Sequence, residues 1–378
     1  MKRVGLFMSI FLTVLLIFYF EPVVFPNKSE KPIQVASEPI TTLHNTTLKY
    51  EEMPAEGFSS YINKNVSELE KKLGNPVSSY STGFQYEVRR YKTQKQSAII
   101  EANVSDGKVS AIKAIGDAKE QITPFSFKMT MGNLSELTMI YPNFSFDYQG
   151  EPVNIELMEE DMNYRPLIAF DNQTFAILFF DQNDGELFGV AYLNQKELLA
   201  LQPYQIDMST PPKIVAQSKG VKWEEVNGVK AIQSMETINF LRAIDRLPVY
   251  ESTIQQQRTT EAVQADFLTH TDEVLEKQRY DYWQQIRDRD SSQTSFLLSS
   301  EELSTLIKRT TDEPQSGILS EPIIDSTFSL LYWYSDPFLH TRFMHEDPEV
   351  LGISFSKENM VVLMQRVEEK ETKDSGSE

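Results

Sequence analysis

The sequence predicts an α+β protein: a helix followed by an antiparallel sheet, built twice, then a third mixed domain, all behind one N-terminal apolar helix. Three observations predict it. Tyr141 to Leu193 holds the longest strand-like runs in the chain, cut by turn signals at Gln149-Gly150, Asp171-Asn172 and Asp184-Gly185. Asp184-Gly185-Glu186-Leu187 echoes Asp106-Gly107-Lys108-Val109, and each follows a short helical pattern and strand-like segments. Beyond residue 226 the apolar spacing turns helical, as in Ile238, Leu241, Ile244 and Leu247.

Composition narrows the function classes. A chain of 378 residues suggests two or three domains, and 40% hydrophobic residues can fill real cores. With 55 acidic against 36 basic residues the net charge is −19. That balance argues against nucleic acid, whose phosphates need clustered Lys and Arg, and suits a soluble acidic exodomain. No cysteine is present, which excludes disulfides, thiolate metal sites, a Cys nucleophile and a lipid-modified N-terminal Cys. No P-loop, G-x-G-x-x-G, G-x-S-x-G or H-E-x-x-H pattern occurs.

The elements follow in order. Residues 1–21 read as a signal anchor. Lys2 and Arg3 precede the uncharged run Val4 to Phe20, which as a helix would span about 25 Å, near the short limit for crossing a membrane. Phe18-Tyr19-Phe20-Glu21-Pro22 offers no small-residue cleavage site, and the positive end should stay in the cytoplasm. Residues 22–57 read as a linker rich in Pro, Ser, Thr and Glu, with His44 a solvated loop residue.

A first unit, residues 58–117, starts with a helix through Val66, Leu69 and Leu73, for which Ser67 and Glu70 suggest a capping box. Strands are expected at 86–91, 98–104 and 109–115, the last two joined at Asp106-Gly107. The second unit, 118–205, has a short helix at Leu134 and Leu137. Its alternating strand carries Phe144, Phe146 and Tyr148, and its all-apolar run is Phe175 to Phe180. The acidic run Glu159-Glu160-Asp161 reads as a solvated turn with Arg165 pairing locally. Residues 206–225 read as a second linker. The third domain spans 226–367, with helices around Ile238, Val263 and Leu303, the last capped by Ser299 or Ser300, and a hairpin around Lys357 to Asn359. His270 falls on an apolar face and reads as a core histidine bonded to backbone; His345 reads as solvated. The acidic tail 368–378 reads as disordered.

Two family resemblances overlay this reading. The string NFSFDYQGEPVNIELMEEDMNYRPLIAFDNQTFAILFF, within Ser59 to Tyr204, resembles the CAP-associated N-terminal domain of Firmicute surface proteins. That domain usually precedes a CAP domain of the SCP-like, pathogenesis-related superfamily, and brings no catalytic residues with it. From about residue 226 to 367 four short strings resemble a CAP domain. Ile238 to Arg242 resembles its N-x-x-R helix and His270 to Val274 its H-S-x-D-M helix. Trp333 to Arg342 resembles W-x-N-S-P-x-H-R, and Leu351 to Ser354 resembles L-G-V-G. This resemblance implies an α-β-α sandwich.

Typical CAP domains gather two His and two acidic residues in one cleft, often around a divalent metal. Here only His340 could fill a tetrad position. Tyr280 to Trp283 stands where the second His should be, E-N-I-A is absent, and Glu321 lies too near Trp333 in sequence to replace it. One imidazole is a poor metal site, so His340 is a weak metal candidate and reads as a helix-end histidine packed near Arg342. No catalytic residue and no cofactor are expected. The expected function is a membrane-anchored, non-catalytic binding or scaffold module at the cell envelope, with an envelope protein as partner. One alternative is a small apolar ligand or lipid in a groove at Trp333, Tyr334, Phe338 and His340; another is a metal-dependent hydrolase.

Overall fold

Short-range chemistry starts the first helix, α1 (Val66–Leu73). Its cap is Asn65, whose side chain accepts from the Ser67 amide at 3.0 Å. The expected Ser67–Glu70 capping box does not form, because Glu70 is drawn to Arg89 at 2.5 Å. These elements belong to a computed structural model that describes residues 50–93, 96–288, 295–343 and 349–366. The anchor at 1–21, most of the first linker, His44, His345 and the tail at 368–378 lie outside the described residues. Among the described residues no helix is long and apolar enough to cross a membrane.

The first half continues as a meander. β1 is the short strand Glu52–Met53, ahead of α1; β2 (Ser78–Ser81), β3 (Glu87–Lys92), β4 (Ala98–Ser105) and β5 (Lys108–Gly116) follow it. Asp106 and Gly107 both take positive φ, 51° and 73°, as a two-residue turn matched to strand twist requires. The second half opens with α2 (Met131–Leu137), boxed by Thr130 and Asn133. Then come the hairpin β6 (Asn143–Tyr148) and β7 (Glu151–Glu156), α3 (Glu159–Tyr164), β8 (Leu167–Phe170), β9 (Thr174–Phe180), β10 (Leu187–Asn194), α4 (Gln195–Leu201) and β11 (Gln205–Asp207).

Eight strands make the main sheet, in the order β1-β8-β9-β10-β5-β4-β3-β2. β10 and β5 pair antiparallel at its centre, with Ala191 opposite Lys113. The β4–β5 and β9–β10 hairpins therefore stand back to back. β6 and β7 leave this sheet and pair with β11 in a separate three-stranded one. Part of the segment read as a second linker is thus a strand edge, and Ile214 beyond it is buried.

The third domain contributes α5 (Trp223–Ile244), α6 (Ile254–Thr269), α7 (Thr271–Val274), α8 (Lys277–Asp288), β12 (Phe296–Leu297), α9 (Ser300–Thr310), β13 (Ser316–Glu321), α10 (Ser326–Tyr334), α11 (Pro337–Phe343), β14 (Glu349–Ser356) and β15 (Asn359–Arg366). Its sheet runs β12-β13-β15-β14, antiparallel throughout. Side chains alternate across it. Met360 and Val362 face α5 and α10, whereas Val361 and Leu363 face α6, α8 and α9. The result is a helix–sheet–helix sandwich. Gly352 lets α6 lie directly on β14: a Cβ there would sit 2.1 Å from Thr260 Oγ1.

The two sheets share one core. Phe179 of β9 packs edge-on against Phe328, with centroids 5.9 Å apart, and Phe188 of β10 meets Tyr334 at 5.2 Å. A Cβ on Gly189 would fall 2.9 Å from Leu331, so α10 rests on the main sheet through that glycine. α1 and α2 cover the opposite face of this sheet, through Val66, Leu69 and Leu134. Burial on both faces accounts for the unbroken apolar run of β9.

Candidate functional site at the domain junction

The corner between α10 and α11 carries the Trp333 to Arg342 string. Asp336 makes the turn: its Oδ1 accepts from the amides of Phe338 at 2.8 Å and Leu339 at 2.9 Å, and Pro337 opens the helix where no donor is needed. The corner is gripped from outside by the first domain. Gln182, in the β9–β10 turn, donates to the Ser335 carbonyl. Arg165 donates to the same carbonyl at 3.1 Å, lies 4.4 Å over the Tyr332 ring and pairs with Asp161 at 2.9 Å and Glu160 at 2.7 Å. The acidic run is thus the helix α3, with Asp161 and Arg165 both buried. Burial raises the Asp161 carboxyl above its ordinary range, against the pull of Arg165.

His340 is buried beneath this grip. Its Nδ1 lies 2.6 Å from the Tyr334 carbonyl, which can only accept, so Nδ1 carries the proton. In the neutral ring Nε2 then holds the lone pair, and the side-chain amide nitrogen of Asn183 donates to it at 3.0 Å. The lone pair that a metal would need is occupied. The Asp181 carboxylate stands 3.9 Å from Nε2; its Oδ1 accepts from the Asn183 backbone amide at 2.7 Å, while Oδ2 has no hydrogen-bond partner among the described residues. The Tyr334 hydroxyl donates to Asp245. Burial pushes the Asp245 carboxyl up to about 6 despite that hydrogen bond, and burial beside Asp245 raises the Tyr334 hydroxyl. Among the described residues no three His, Asp or Glu side chains are grouped to hold a metal ion. The metal implied by the CAP resemblance does not fit this corner.

A second contact fixes the same junction. Lys113 of β5 and Asp325, the N-cap of α10, are both buried and paired. Asn103 donates to Asp325 at 2.8 Å and accepts from Lys113 at 2.8 Å. Glu101 lies 3.7 Å from Lys113 and 2.6 Å from Arg90, which also reaches Glu236 on α5. Burial alone would raise Asp325, but Lys113 holds it below the ordinary carboxylate range. Nearby, Lys230 is wholly buried between the Phe84 ring at 5.2 Å and the Phe355 ring at 4.3 Å, and donates to the Lys357 carbonyl at 2.8 Å. Burial lowers its amine to about 7.

A cavity of about 480 Å³ opens beside the corner, within the range of about 300–1,000 Å³ usual for small-ligand sites. Leu201, Ile206 and Ile214 wall it from one side, and Ile323, Phe328 and Trp333 from the other.

The four residues expected to share a groove are therefore separated. Trp333 lines the cavity, stacked on Phe343 with centroids 6.4 Å apart. Tyr334 and His340 sit in the closed corner instead. Phe338 is 80% exposed, because it points away from both layers on the short helix α11. His340 packs against Tyr334 and Asn183 and not near Arg342, whose guanidinium is spent on the Gly317 carbonyl at 2.6 Å and Ser300 at 3.0 Å. His270 is no core histidine: its side chain is 42% exposed and meets Asp266 at 2.7 Å. Glu321 is buried and accepts from Asn359 at 2.9 Å. The N-x-x-R helix supplies clamps: Asn239 bonds both backbone groups of Tyr250, and Arg242 reaches the carbonyls of Pro248 and Phe343.

Asp181, Asn183, Asp245 and the Lys113–Asp325 pair were not anticipated. Their one signal was charge inside apolar runs, as at Lys113 and Glu101, which a buried strand tolerates only with a partner.

Comparison with known proteins agrees with this architecture. Residues 62–204 match the CAP-associated N-terminal family. An uncharacterized membrane protein of Bacillus subtilis, YlbC, is 25% identical over 193 residues, covering 50% of this chain. The match spans 54% of that relative, so the chain covers about half its length. An extracellular protein of Bacillus anthracis containing an SCP domain superposes with a TM-score of 0.60 at 16% identity, covering 89% of this chain and 99% of that one. A cysteine-rich secretory protein of Staphylococcus aureus superposes at 0.63 with 15% identity, covering 84% and 98%. At these identities the two structures speak for the fold.

Proposed function

We propose that this chain, a CAP-associated N-terminal domain joined to an SCP-like fold, is a non-catalytic binding module tethered at the outer face of the cell membrane. One observation carries the non-catalytic part. Both ring nitrogens of His340 are engaged, one by the Tyr334 carbonyl and one by Asn183, so the histidine serves as a latch between domains. Envelope placement is supported by the apolar run Val4 to Phe20 behind Lys2 and Arg3. It is also supported by the membrane-protein description of the Bacillus subtilis relative and the extracellular description of the Bacillus anthracis neighbour. Protease added to intact protoplasts should then remove the exodomain and leave a short membrane-bound stub. A protected exodomain, or a mature N-terminus mapped after Phe20, would overturn the tether.

A second reading is favoured by the cavity beside Trp333, which suits a small apolar ligand. The partner in the first reading is an envelope protein, and cross-linking the full chain in its native envelope should capture one specific partner. Capture that is unchanged when the exodomain has been shaved away would count against that reading.

A further inference from the structure

The three-stranded sheet ends on β6, and among the described residues no strand pairs with the other side of β6. The hairpin shows which backbone groups face that side. Gln149 and Gly150 both take positive φ, 56° and 86°, so Tyr148 and Glu151 close a two-residue turn as a hydrogen-bonded pair. Bonded pairs recur at every second residue, and the Leu157 amide, donating to the Pro142 carbonyl at 2.8 Å, fixes the same phase. Phe144, Phe146 and Tyr148 therefore turn their backbone groups to β7. Those of Asn143, Ser145 and Asp147 point outward, and all three residues are exposed. Proteins commonly guard such an edge with Lys, Pro or a bulge. β6 has none of these, and its one charged side chain, Asp147, folds back to the Gly150 amide at 2.8 Å.

The two faces of this edge differ. Phe146 and Tyr148 stand half-buried on the inner face, with the Phe146 ring 5.2 Å from that of Phe175. On the outer face Glu156 lies level with Asn143, and Asn154 with Ser145, all exposed. Charge here has one sign: residues 129–164 include seven Asp or Glu and no Lys or Arg. A second copy of the chain would set like charges edge to edge, which disfavours self-pairing. We infer that β6 receives an extended segment of a basic partner protein as a fourth strand. Apolar side chains of that segment extend the inner face beside Phe146 and Tyr148, and its Lys or Arg side chains lie on the outer face toward Asp147 and Glu156. Main-chain bonds to Asn143, Ser145 and Asp147 give affinity, and the alternation gives specificity. The inference rests on the binding-module reading above and adds the surface and the chemistry of the partner.

The experiment titrates the full chain, held in phosphatidylcholine nanodiscs, into fluorescein-labelled peptides and reads anisotropy. The probes are an alternating Val-Lys octapeptide, an alternating Val-Glu octapeptide, and a block peptide with all Lys before all Val. Two further Val-Lys peptides are N-methylated at every Val or at every Lys. The alternating Val-Lys peptide should bind saturably, and the Val-Glu and block peptides at least about tenfold more weakly. One methylated peptide should keep its binding and the other lose it, because only every second amide of an added strand faces β6. Ser145→Pro removes an outward amide and no bond to β7, and should weaken binding about tenfold. Glu156→Lys, at an exposed position, should weaken it through charge alone. Equal binding of block and alternating peptides, equal binding of the two methylated peptides, or binding unchanged in Glu156→Lys would overturn the inference. So would a dimer in sedimentation that Ser145→Pro dissolves, which would give the edge to a second copy. If the Val-Lys peptide fails while the chain still cross-links to one envelope protein, the inference falls and the binding-module reading stands. If both fail, both fall.

Discussion

Replacing Asp325 by Asn removes a charge at the domain junction while keeping the shape of the side chain. The amide oxygen can still accept from the Phe328 amide, as the carboxylate does at 2.9 Å. The helix cap, worth about 1 kcal/mol, is therefore kept. What is lost is the partner of Lys113, which is 1% exposed. Glu101 remains 3.7 Å away, but it is already engaged by Arg90 at 2.6 Å. Breaking a buried pair by removing one charge costs about 3–5 kcal/mol. Residual help from Glu101 puts Asp325→Asn near the lower end, about 3 kcal/mol. Lys113→Met should cost a similar amount, since it strands Asp325. The double variant should cost far less than the sum, because neither charge is then left alone. Urea unfolding of the full chain, followed by tryptophan fluorescence, measures all three. A loss below about 1 kcal/mol for Asp325→Asn, or strictly additive losses, would refute the reasoning. The pH dependence has a definite sign. Asp325 is held below its unfolded value, so its contribution is present above the unfolded carboxylate pKa of about 4 and fades as pH falls through the lowered value.

Lys230 gives a pH dependence of the same sign from the opposite cause, a charge that burial disfavours. Its amine sits at about 7 when folded against about 10.4 unfolded, so between those limits the unfolded chain holds one proton more and stability rises with pH. Lys230→Met should stabilise the protein at and below neutral pH by a few kcal/mol and flatten the rise, as chemical denaturation across pH would show. His340→Ala should destabilise by about 1–3 kcal/mol, because it leaves the buried Tyr334 carbonyl and the Asn183 amide without partners; an unchanged Tm would contradict the latch. Gly352→Ala should cost at least about 1–3 kcal/mol in urea unfolding, since its methyl would overlap Thr260 and the Gln256 carbonyl.

Elements coded by short-range pattern were legible before the structure. Asp106-Gly107 marks its hairpin because two consecutive left-handed residues are cheap only for such pairs. Phe175 to Phe180 marks a strand covered twice. Ser299 marks the start of α9 through its box with Glu302. What was not legible depends on pairs distant in sequence. Lys113 and Asp325 lie on different domains, as do Asn183 and His340, and no local period connects them. Hydropathy also misjudged the cavity: Phe338 is as apolar as Trp333 but stands on the outer face of α11. The departure of β6 and β7 from the main sheet was equally hidden, because alternation shows that a strand is half buried and not which sheet it joins.

The most direct measurement is a zinc titration of the full chain against a competing colorimetric chelator. A histidine whose Nε2 lone pair is held by Asn183 should give no stoichiometric site, and the titration of wild type should overlay that of His340→Ala. A tight one-to-one site in the wild type, abolished by His340→Ala, would contradict the account and place the chemistry of the corner in a metal centre.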